Sequence, residues 1–534
     1  MNLVRSATTV GGMTMISRVM GFVRDILIAG VLGAGPIADA FFVAFRFPNL
    51  FRRLFAEGAF NAAFVPLFAR ELEEGGTVAA RNFAQEALSV LLATLLIFTL
   101  IAELSMPWLM FAIAPGFADL PQSFDAGYLT YVVTLNGGDM PAKYELAVFF
   151  TRIAFPYLLF MSLTALLSGV LNSLGRFLAA AAAPILLNII LVSAMLVAVP
   201  FFDNPGFVLS WGVAVAGAAQ FFMLLMATRR AGFHLHLRRP RLTPKVRRLI
   251  RLGIPGVISG GVTQLNLLVG TIIASLQASA VSWLYYADRI YQLPLGVVGI
   301  AIGIVLLPDL ARRLRSGDED GALSVQNRSF EFAMLLTLPA AVALAIIPIP
   351  IISVLFERGA FGGADTQATA LALSAYAFGL PAFVLSKVFS PGFFAREDTA
   401  TPMRYALISI GVNIVLSIVL FQWLGFFGIA LATTLAAWLN TGLLGARLIS
   451  LGHFKADNRL RKRVPLILLA ALLMGGSLWG ATLLLEPWFQ EAFWLQVSAL
   501  ALLVTGGMMV FAVFCQLTGA ISLSEFKGGF RRKA

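Results

Sequence analysis

Runs of almost uninterrupted apolar residues recur along this chain, each long enough to cross a bilayer. About 20 apolar residues span the hydrocarbon core. By that ruler, crossings are expected near 7–33, 37–69, 84–111, 148–172, 178–200, 207–228, 249–277, 282–308, 328–348, 367–394, 403–423, 425–447, 464–485 and 493–519. Fourteen such crossings leave little chain for anything else, so the expected fold is an all-α polytopic membrane protein. Several runs are too long for one upright crossing and are expected to tilt or to protrude into water. Charged residues make up only 12% of the 534, against about 25% in soluble domains. That excludes the soluble enzyme and soluble binding-module classes.

The N-terminal stretch MNLVRSATTVGGMT lacks the compact apolar core and cleavage site of a removable signal peptide. The first helix is therefore expected to serve as the targeting element. The single cysteine, Cys515, lies inside an apolar run, which rules out an intramolecular disulfide or a cysteine metal cluster. His234, His236 and His453 sit in basic loops, and the two-residue spacing of His234 and His236 comes with no nearby acidic or sulfur ligand, so no metal site is expected. The net charge of +12 does not indicate nucleic acid, because no aromatic-rich soluble domain accompanies it.

The basic residues instead report topology. Arg229, Arg230, Arg238, Arg239, Arg241, Lys245, Arg247 and Arg248 fill one loop; Arg312, Arg313 and Arg315 another; Lys455, Arg459, Arg461, Lys462 and Arg463 a third. The alternate connections 33–37, 201–206, 278–281, 424 and 486–492 hold no Lys or Arg. By the positive-inside rule, both termini are expected in the cytoplasm. The largest outside segment is then 112–147, and 349–366 is expected at an interface. Asp309–Asp320 reads as an amphipathic surface helix capped by acids.

The chain also repeats itself. Phe47-Pro48 is matched by Leu293-Pro294, PLFAREL from Pro66 by PDLARRL from Pro308, Asn188–Leu191 by Asn413–Leu416, and GVAVAG from Gly212 by GIALAT from Gly428. Matching segments lie six crossings apart, an even number, so the repeats share one orientation. Two parallel six-helix lobes that rock about a site near the midplane are a known transporter arrangement. The expected organisation is an N-lobe at 1–230, a C-lobe at 231–450, and two additional helices with a tail at 451–534.

Charge inside the crossings is the functional signal. An ionised side chain near the bilayer centre costs about 2.5–3.5 kcal/mol even on insertion scales, yet the first two crossings carry Arg18, Arg24, Asp25, Asp39, Arg46, Arg52, Arg53 and Glu57. At helical spacing, Asp39, Arg46, Asn49, Arg53 and Glu57 fall within about 80° of one another if Pro48 bends the helix only mildly. Arg53 and Glu57 can neutralise each other at i, i+4, but one pair does not account for the surplus of arginine. Gln264, Thr271 and Ser275 share a face of the seventh crossing. Tyr285, Asp288 and Gln292 share one of the eighth, where Asp288 and Arg289 point about 100° apart, a poor geometry for pairing. Their partners are expected on the first two crossings. Ser282 opens the eighth crossing, and Trp283 reads as an interfacial anchor. Arginine's planar fork suits carboxylate and phosphate, so a central cavity lined this way implies an anionic substrate. Lys387 either adds to that field or snorkels to an interface.

Several of these stretches resemble one family. SRVMGFVRD, GPIADAFFVAFRFPNLFRRLFAEGAFNAAFVP, Ala114–Phe117, VSWLYYADRIYQLPLGVVGIAIGIVLLP and Ser390–Pro402 are similar to the bacterial MurJ (MviN) lipid II flippases. These belong to the multidrug/oligosaccharidyl-lipid/polysaccharide exporter superfamily. The resemblance covers essentially the whole chain. It implies two six-helix lobes around a central cavity plus two C-terminal helices bordering a lipid-tail groove. It further implies flipping of the undecaprenyl-pyrophosphate disaccharide-pentapeptide to the outer leaflet of the bacterial inner membrane, for peptidoglycan synthesis and cell shape. Carried over by position, the cavity residues are Arg18, Arg24, Asp39, Asn49, Arg52, Arg53, Ser282, Asp288 and Arg289, with arginines binding pyrophosphate and peptide carboxylates and acids gating or pairing. The chain departs from the family in having Gln292 where an acid is common, and in the length of 112–147.

Competing readings are an exporter of another anionic polyprenyl-linked glycan or of a drug, a membrane glycosyltransferase, and a non-transporting cell-wall scaffold. A cationic-drug site favours acids and aromatics over arginine. A glycosyltransferase needs acids at the membrane surface, and a scaffold gains nothing from buried arginine. No cofactor is expected. The sequence leaves coupling to the membrane potential or to a monovalent ion open, along with oligomeric state and contact with the cell-wall synthesis machinery.

Overall fold

The apolar runs form helices close to where the sequence places them. The computed structural model describes residues 3–53, 60–118 and 142–520. The chain divides into two compact units, Met1–Ser282 and Trp283–Ala534.

The first unit contains α1 (Leu3–Leu32), α2 (Pro36–Arg52), α3 (Asn61–Leu104), α4 (Met106–Ile113), a 3-10 turn at Pro115–Ala118, α5 (Ala142–Ala154), α6 (Tyr157–Ser173), α7 (Phe177–Ser193), α8 (Pro205–Arg230) and α9 (Pro244–Ser275). It also holds the first residues of α10 (Ala280–Arg315), which continues into the second unit. The second unit adds α11 (Glu319–Ile346), α12 (Pro348–Phe356), α13 (Gly363–Phe394), α14 (Ala400–Leu424), α15 (Phe426–Ser450), α16 (Asn458–Phe489) and α17 (Phe493–Leu517). Ten helical stretches among the described residues are long and apolar enough to cross a membrane. The other four expected crossings fall on α1, α2, α9 and α10, the helices that carry the charges discussed below.

Of the crossing expected at 37–69, α2 covers the start and ends at Arg52, residues 54–59 lie outside the described residues, and α3 begins at Asn61 and runs on to Leu104. Within that long helix Gly76 takes φ +68°, a left-handed backbone that glycine adopts without steric cost, so the chain changes direction there. The crossing expected at 148–172 falls on one apolar stretch long enough to span, Ala142–Ser173; its helix is interrupted at Phe155-Pro156, where proline lacks the amide that would continue the helical ladder. Asp309–Asp320 is not a separate surface helix. Residues 309–315 extend α10, and Asp318 caps α11 by accepting from the Gly321 N–H at 2.8 Å.

Each unit has its own core. In the first, Phe64, Phe68 and Phe83 of α3 pack with Leu166, Leu167 and Val170 of α6 and Leu224 of α8. The segment between α8 and α9 joins this core through Phe233 and Leu235. It is strapped along α3: Gln85 donates to the His234 carbonyl at 3.4 Å, and the Arg238 N–H donates to Ser89 Oγ at 2.9 Å. In the second unit, Leu306 and Leu310 of α10, Met334 of α11, Val388 and Phe389 of α13 and Leu448 of α15 form the centre.

The sequence repeat has a physical counterpart. Helix α6 packs on α3 and α8, and α8 on α7; correspondingly α13 packs on α11 and α15, and α15 on α14. The matched glycines explain one of these contacts. A Cβ at Gly212 of α8 would lie 2.9 Å from Leu191 of α7, and one at Gly428 of α15 would lie 2.5 Å from the backbone of Leu420 of α14. At Gly428 the backbones approach too closely for any side chain, whereas at Gly212 the Leu191 side chain would have to shift.

Candidate functional site

The sequence reading placed most of the functional charge on α1 and α2. The structure shows that these charges are not equivalent. Arg18 is exposed on α1. Arg24, one and a half turns further on, is buried at 7% exposure. Its Nε and Nη2 donate to Asp25 Oδ1 at 3.0 and 2.7 Å, and its Nη1 donates to Asn188 Oδ1 of α7 at 2.9 Å. Asn188 in turn donates to the Ser17 carbonyl at 3.1 Å. Arg24 thus pins α1 to α7 with its charge balanced by its sequence neighbour.

On α2, Arg46 is half-buried and donates to Thr271 Oγ1 of α9 at 3.3 Å. Asn49 donates to the Phe45 carbonyl at 2.7 Å and accepts from Arg52 Nε at 3.1 Å. The pair Asn49–Arg52 is a local i, i+3 contact that orients a half-buried guanidinium. Arg53 caps the C-terminal end of α2 and is exposed. Glu57 lies outside the described residues. Arg18 and Arg53 are therefore the exposed arginines of this set, and Arg46 and Arg52 are half-exposed.

Asp39 is fully buried at the start of α2. Its Oδ1 accepts from the Ser282 N–H at 3.0 Å and from Ser282 Oγ at 2.5 Å; its Oδ2 accepts from the Ser279 N–H at 3.0 Å and from Lys143 Nζ at 2.6 Å. Ser282, itself buried, thus meets Asp39. Lys143, on α5, was not anticipated. It lies near the end of the 112–147 segment, and nothing local ties it to a carboxylate 104 residues away.

The neighbouring turn is built to equal tightness. Ser275 Oγ accepts from the Gly116 N–H at 3.1 Å. A Cβ at Gly116 would lie 2.3 Å from the Ser275 carbonyl oxygen and 2.5 Å from Leu276 N, so only glycine fits against that backbone. The adjacent Phe117 ring lies 4.1 Å from Lys143 Nζ, within cation–π range. Thr271 and Ser275, expected on one polar face of α9, are both buried and are engaged by α2 and by the 3-10 turn of the same unit; Gln264, on the same face, is half-buried.

In the second unit, Asp288 and Arg289 lie 3.4 Å apart (Oδ2 to Nη2), each with 29% of its side chain exposed. Their predicted divergence shows in the length of that contact, and Arg289 also lies 4.8 Å from the Tyr285 ring centre. Gln292 donates to Asp288 Oδ2. The partners seen for Asp288 are on its own helix, one and four residues away. A carboxamide at 292 adds no charge and donates to the remaining acid. Trp283 is more than an interfacial anchor: its Nε1 donates to Asp365 Oδ1 at 3.0 Å, and its ring lies 5.0 Å from that of Phe426. Lys387 is exposed on α13, with its stem against Gly299 of α10. Gly299 falls on the same face of α10 as Asp288 and Gln292 at about 100° per residue.

Comparison with known proteins adds the following. A family model described as Lipid II flippase MurJ matches residues 28–499. A protein of Rhizobium tropici described as a probable lipid II flippase MurJ is 47% identical over 539 residues, covering 100% of this chain and 97% of its own length. Among solved structures, a lipid II flippase MurJ in an inward closed conformation superposes with a TM-score of 0.76 at 23% identity, covering 95% of this chain and 98% of its own. An inward-facing multidrug resistance transporter of the MATE family, in the MOP superfamily, superposes with a TM-score of 0.64 at 14% identity, over 84% of this chain and 98% of its own. At those identities the structural matches speak to the fold.

Proposed function

The chain belongs to the MurJ family of lipid II flippases, and from that membership we propose that it carries lipid II from the inner to the outer leaflet of the cytoplasmic membrane. It is a membrane transporter rather than an enzyme. The observation that carries the reading is the full-length match at 47% identity to a probable lipid II flippase. The placement of the arginines supports it. Arg18, Arg46, Arg52 and Arg53 keep exposed surface on helices that are otherwise apolar, where charge is costly unless it meets water, protein or a ligand. Guanidinium groups there are suited to a diphosphate and to peptide carboxylates. Arg24, already held by Asp25 and Asn188, positions α1 instead.

We place both termini in the cytoplasm, on the strength of the basic loops at 229–251, 312–315 and 455–463. The α9–α10 turn and the start of α2 then lie on the outer side. The lobes at 1–230 and 231–450 move against each other in alternating access, and α16 and α17 border the path of the lipid tail. An inside-negative potential favours outward movement of an anionic head group by about 2.3 kcal/mol per charge per 100 mV; proton or sodium coupling would add to it.

The deciding experiment depletes the protein in cells and measures lipid II in each leaflet, with rescue by variants. Inner-leaflet accumulation relieved by the wild type, but not by well-expressed Arg18→Ala or Arg53→Ala, is the expected result. Normal lipid II turnover after depletion would overturn the substrate and leave an exporter of another anionic polyprenyl-linked glycan or a non-transporting scaffold.

A further inference from the structure

Asp39 reaches across to a turn whose backbone is strained. Ser279 takes φ +61°, the left-handed region that side chains other than glycine occupy only when their surroundings enforce it. The enforcing contact is visible: the Ser279 N–H donates to Asp39 Oδ2 at 3.0 Å, and three residues on, Ser282 donates to Oδ1 through both its N–H and its hydroxyl. A fully buried carboxylate with only these neutral donors would carry an uncompensated charge, which is costly in a desolvated site. Lys143 supplies the compensation. Its Nζ lies 2.6 Å from the same Oδ2 that holds Ser279, and the Phe117 ring at 4.1 Å holds the ammonium from another side.

We propose that Lys143 is the positioning residue that keeps Asp39 ionised and directed at the α9–α10 turn, so that the Lys143–Asp39 pair sets how firmly the outer end of the transport path is held shut. The inference rests on the orientation and flippase reading given above. Lys143 touches no substrate; it acts through Asp39. Without its charge, Asp39 either takes up a proton and loses acceptor strength or turns away toward water. In both cases Ser279 loses the contact that enforces its left-handed backbone, and the turn relaxes. Because α10 begins at Ala280, relaxation of the turn frees the start of the helix that carries Asp288 and Arg289.

The test reads that release directly. Cys515 is the sole cysteine, so a Cys515→Ser background gives a clean reporter. Val281→Cys places a thiol at a fully buried position beside the clasp, and Ala278→Cys places one at an exposed position of the turn. Intact cells are treated with a membrane-impermeant maleimide, and lipid II flipping is measured in parallel. Lys143→Met is expected to speed labelling of the Val281→Cys thiol about tenfold, the equivalent of one lost hydrogen bond to a charged group, and to slow flipping. Lys143→Arg is expected to return both close to the parent. Ser279→Gly, which removes the cost of the left-handed turn, is expected to slow labelling instead.

Unchanged Val281→Cys labelling in Lys143→Met overturns the proposal. If that variant fails to reach the membrane, Ser279→Gly decides: slower labelling supports the proposal, and unchanged or faster labelling overturns it. The Ala278→Cys thiol separates this outcome from failure of the orientation. If it reacts only in opened cells, the orientation is wrong, and the same rate comparison in inside-out vesicles settles the role of Lys143.

Discussion

Two buried carboxylates, one in each unit, are held in opposite ways. Asp39 is fully buried, and its four donors are one lysine, two backbone N–H groups and one hydroxyl, three of them from the Ser279–Ser282 turn. Glu331 of α11, at 6% exposure, is held by arginine side chains alone. Arg459 of α16 donates through Nε and Nη2 at 3.1 Å each, Arg463 through Nη1 at 2.7 Å, and Arg328 joins Glu331 to Asp457. Backbone donors fixed to one turn are lost together if that turn moves. Long guanidinium side chains from two helices adjust one by one and keep contact. The Asp39 cluster therefore depends largely on one turn, and the Glu331 cluster ties α16 to α11 through several separate side chains. That accounts for the close packing of α16, which lies outside the sequence repeat, on a helix that lies within it.

The contrast breaks most visibly at Glu331. Glu331→Ala leaves three arginines facing one another in a half-buried site. Removal of one partner from a buried ion cluster costs about 3–5 kcal/mol, so a large fall in thermal midpoint and protease sensitivity at 451–457 are expected. A midpoint within a few degrees of wild type would show that the arginine mesh is not what fastens α16. Asp39→Ala comes next. Its clasp opens, and lipid II flipping is expected to be lost while the amount of folded protein in the membrane stays close to wild type. Flipping and folded protein falling together would place Asp39 with Glu331 as a fixed tie.

The sequence made much of this fold legible, because crossing length and helical charge are properties of single segments. Spans such as 403–423 and 425–447 became α14 and α15 within a few residues. Polar positions on the helix faces were equally readable: Asp39, Ser282, Thr271 and Ser275 were all singled out, and all four are buried in polar contacts. What local pattern cannot encode is which distant residue answers a buried charge. Lys143 sits 104 residues from Asp39, and Asn188 sits 164 from Arg24. The contact of Asp288 with Gln292, one turn along the same helix, was by contrast readable from their shared helix face. Glu331 drew no notice, since a single acid near the start of a crossing looks like a solvated end until the arginines of α16 reach it.

A smaller effect sharpens the redundancy of the Glu331 cluster. Arg459 is 45% exposed in its side chain, so solvent screens much of its attraction, and Arg463 and Arg328 remain on the same carboxylate when it is removed. Arg459→Ala is expected to cost less than about 1 kcal/mol, in the range of exposed ion pairs. A double-mutant cycle with Arg463→Ala should then show the pair costing more than the sum of its singles. Strict additivity would mean that the arginines act independently.

The smallest effect is a pH dependence at Asp457, where the two kinds of donor meet. Asp457 caps α16 by accepting from the Leu460 N–H at 2.6 Å, and it also accepts from Arg328. Its modest burial pushes the carboxyl upward, but the Leu460 N–H and the charges of Arg328 and Arg459 outweigh that and hold it below the ordinary value of 3.8. A carboxyl whose folded pKa is depressed binds fewer protons folded than unfolded. Its contribution is therefore fully present above the ordinary carboxylate pKa and disappears as pH falls through the lower, folded value. Thermal midpoints measured from about pH 6 down to about pH 3 should fall less steeply in Asp457→Asn, which keeps a side-chain acceptor for the cap without the titrating charge. Identical slopes in the two proteins would mean that the cap is held by the Leu460 contact alone, and that Arg328 serves Glu331 only.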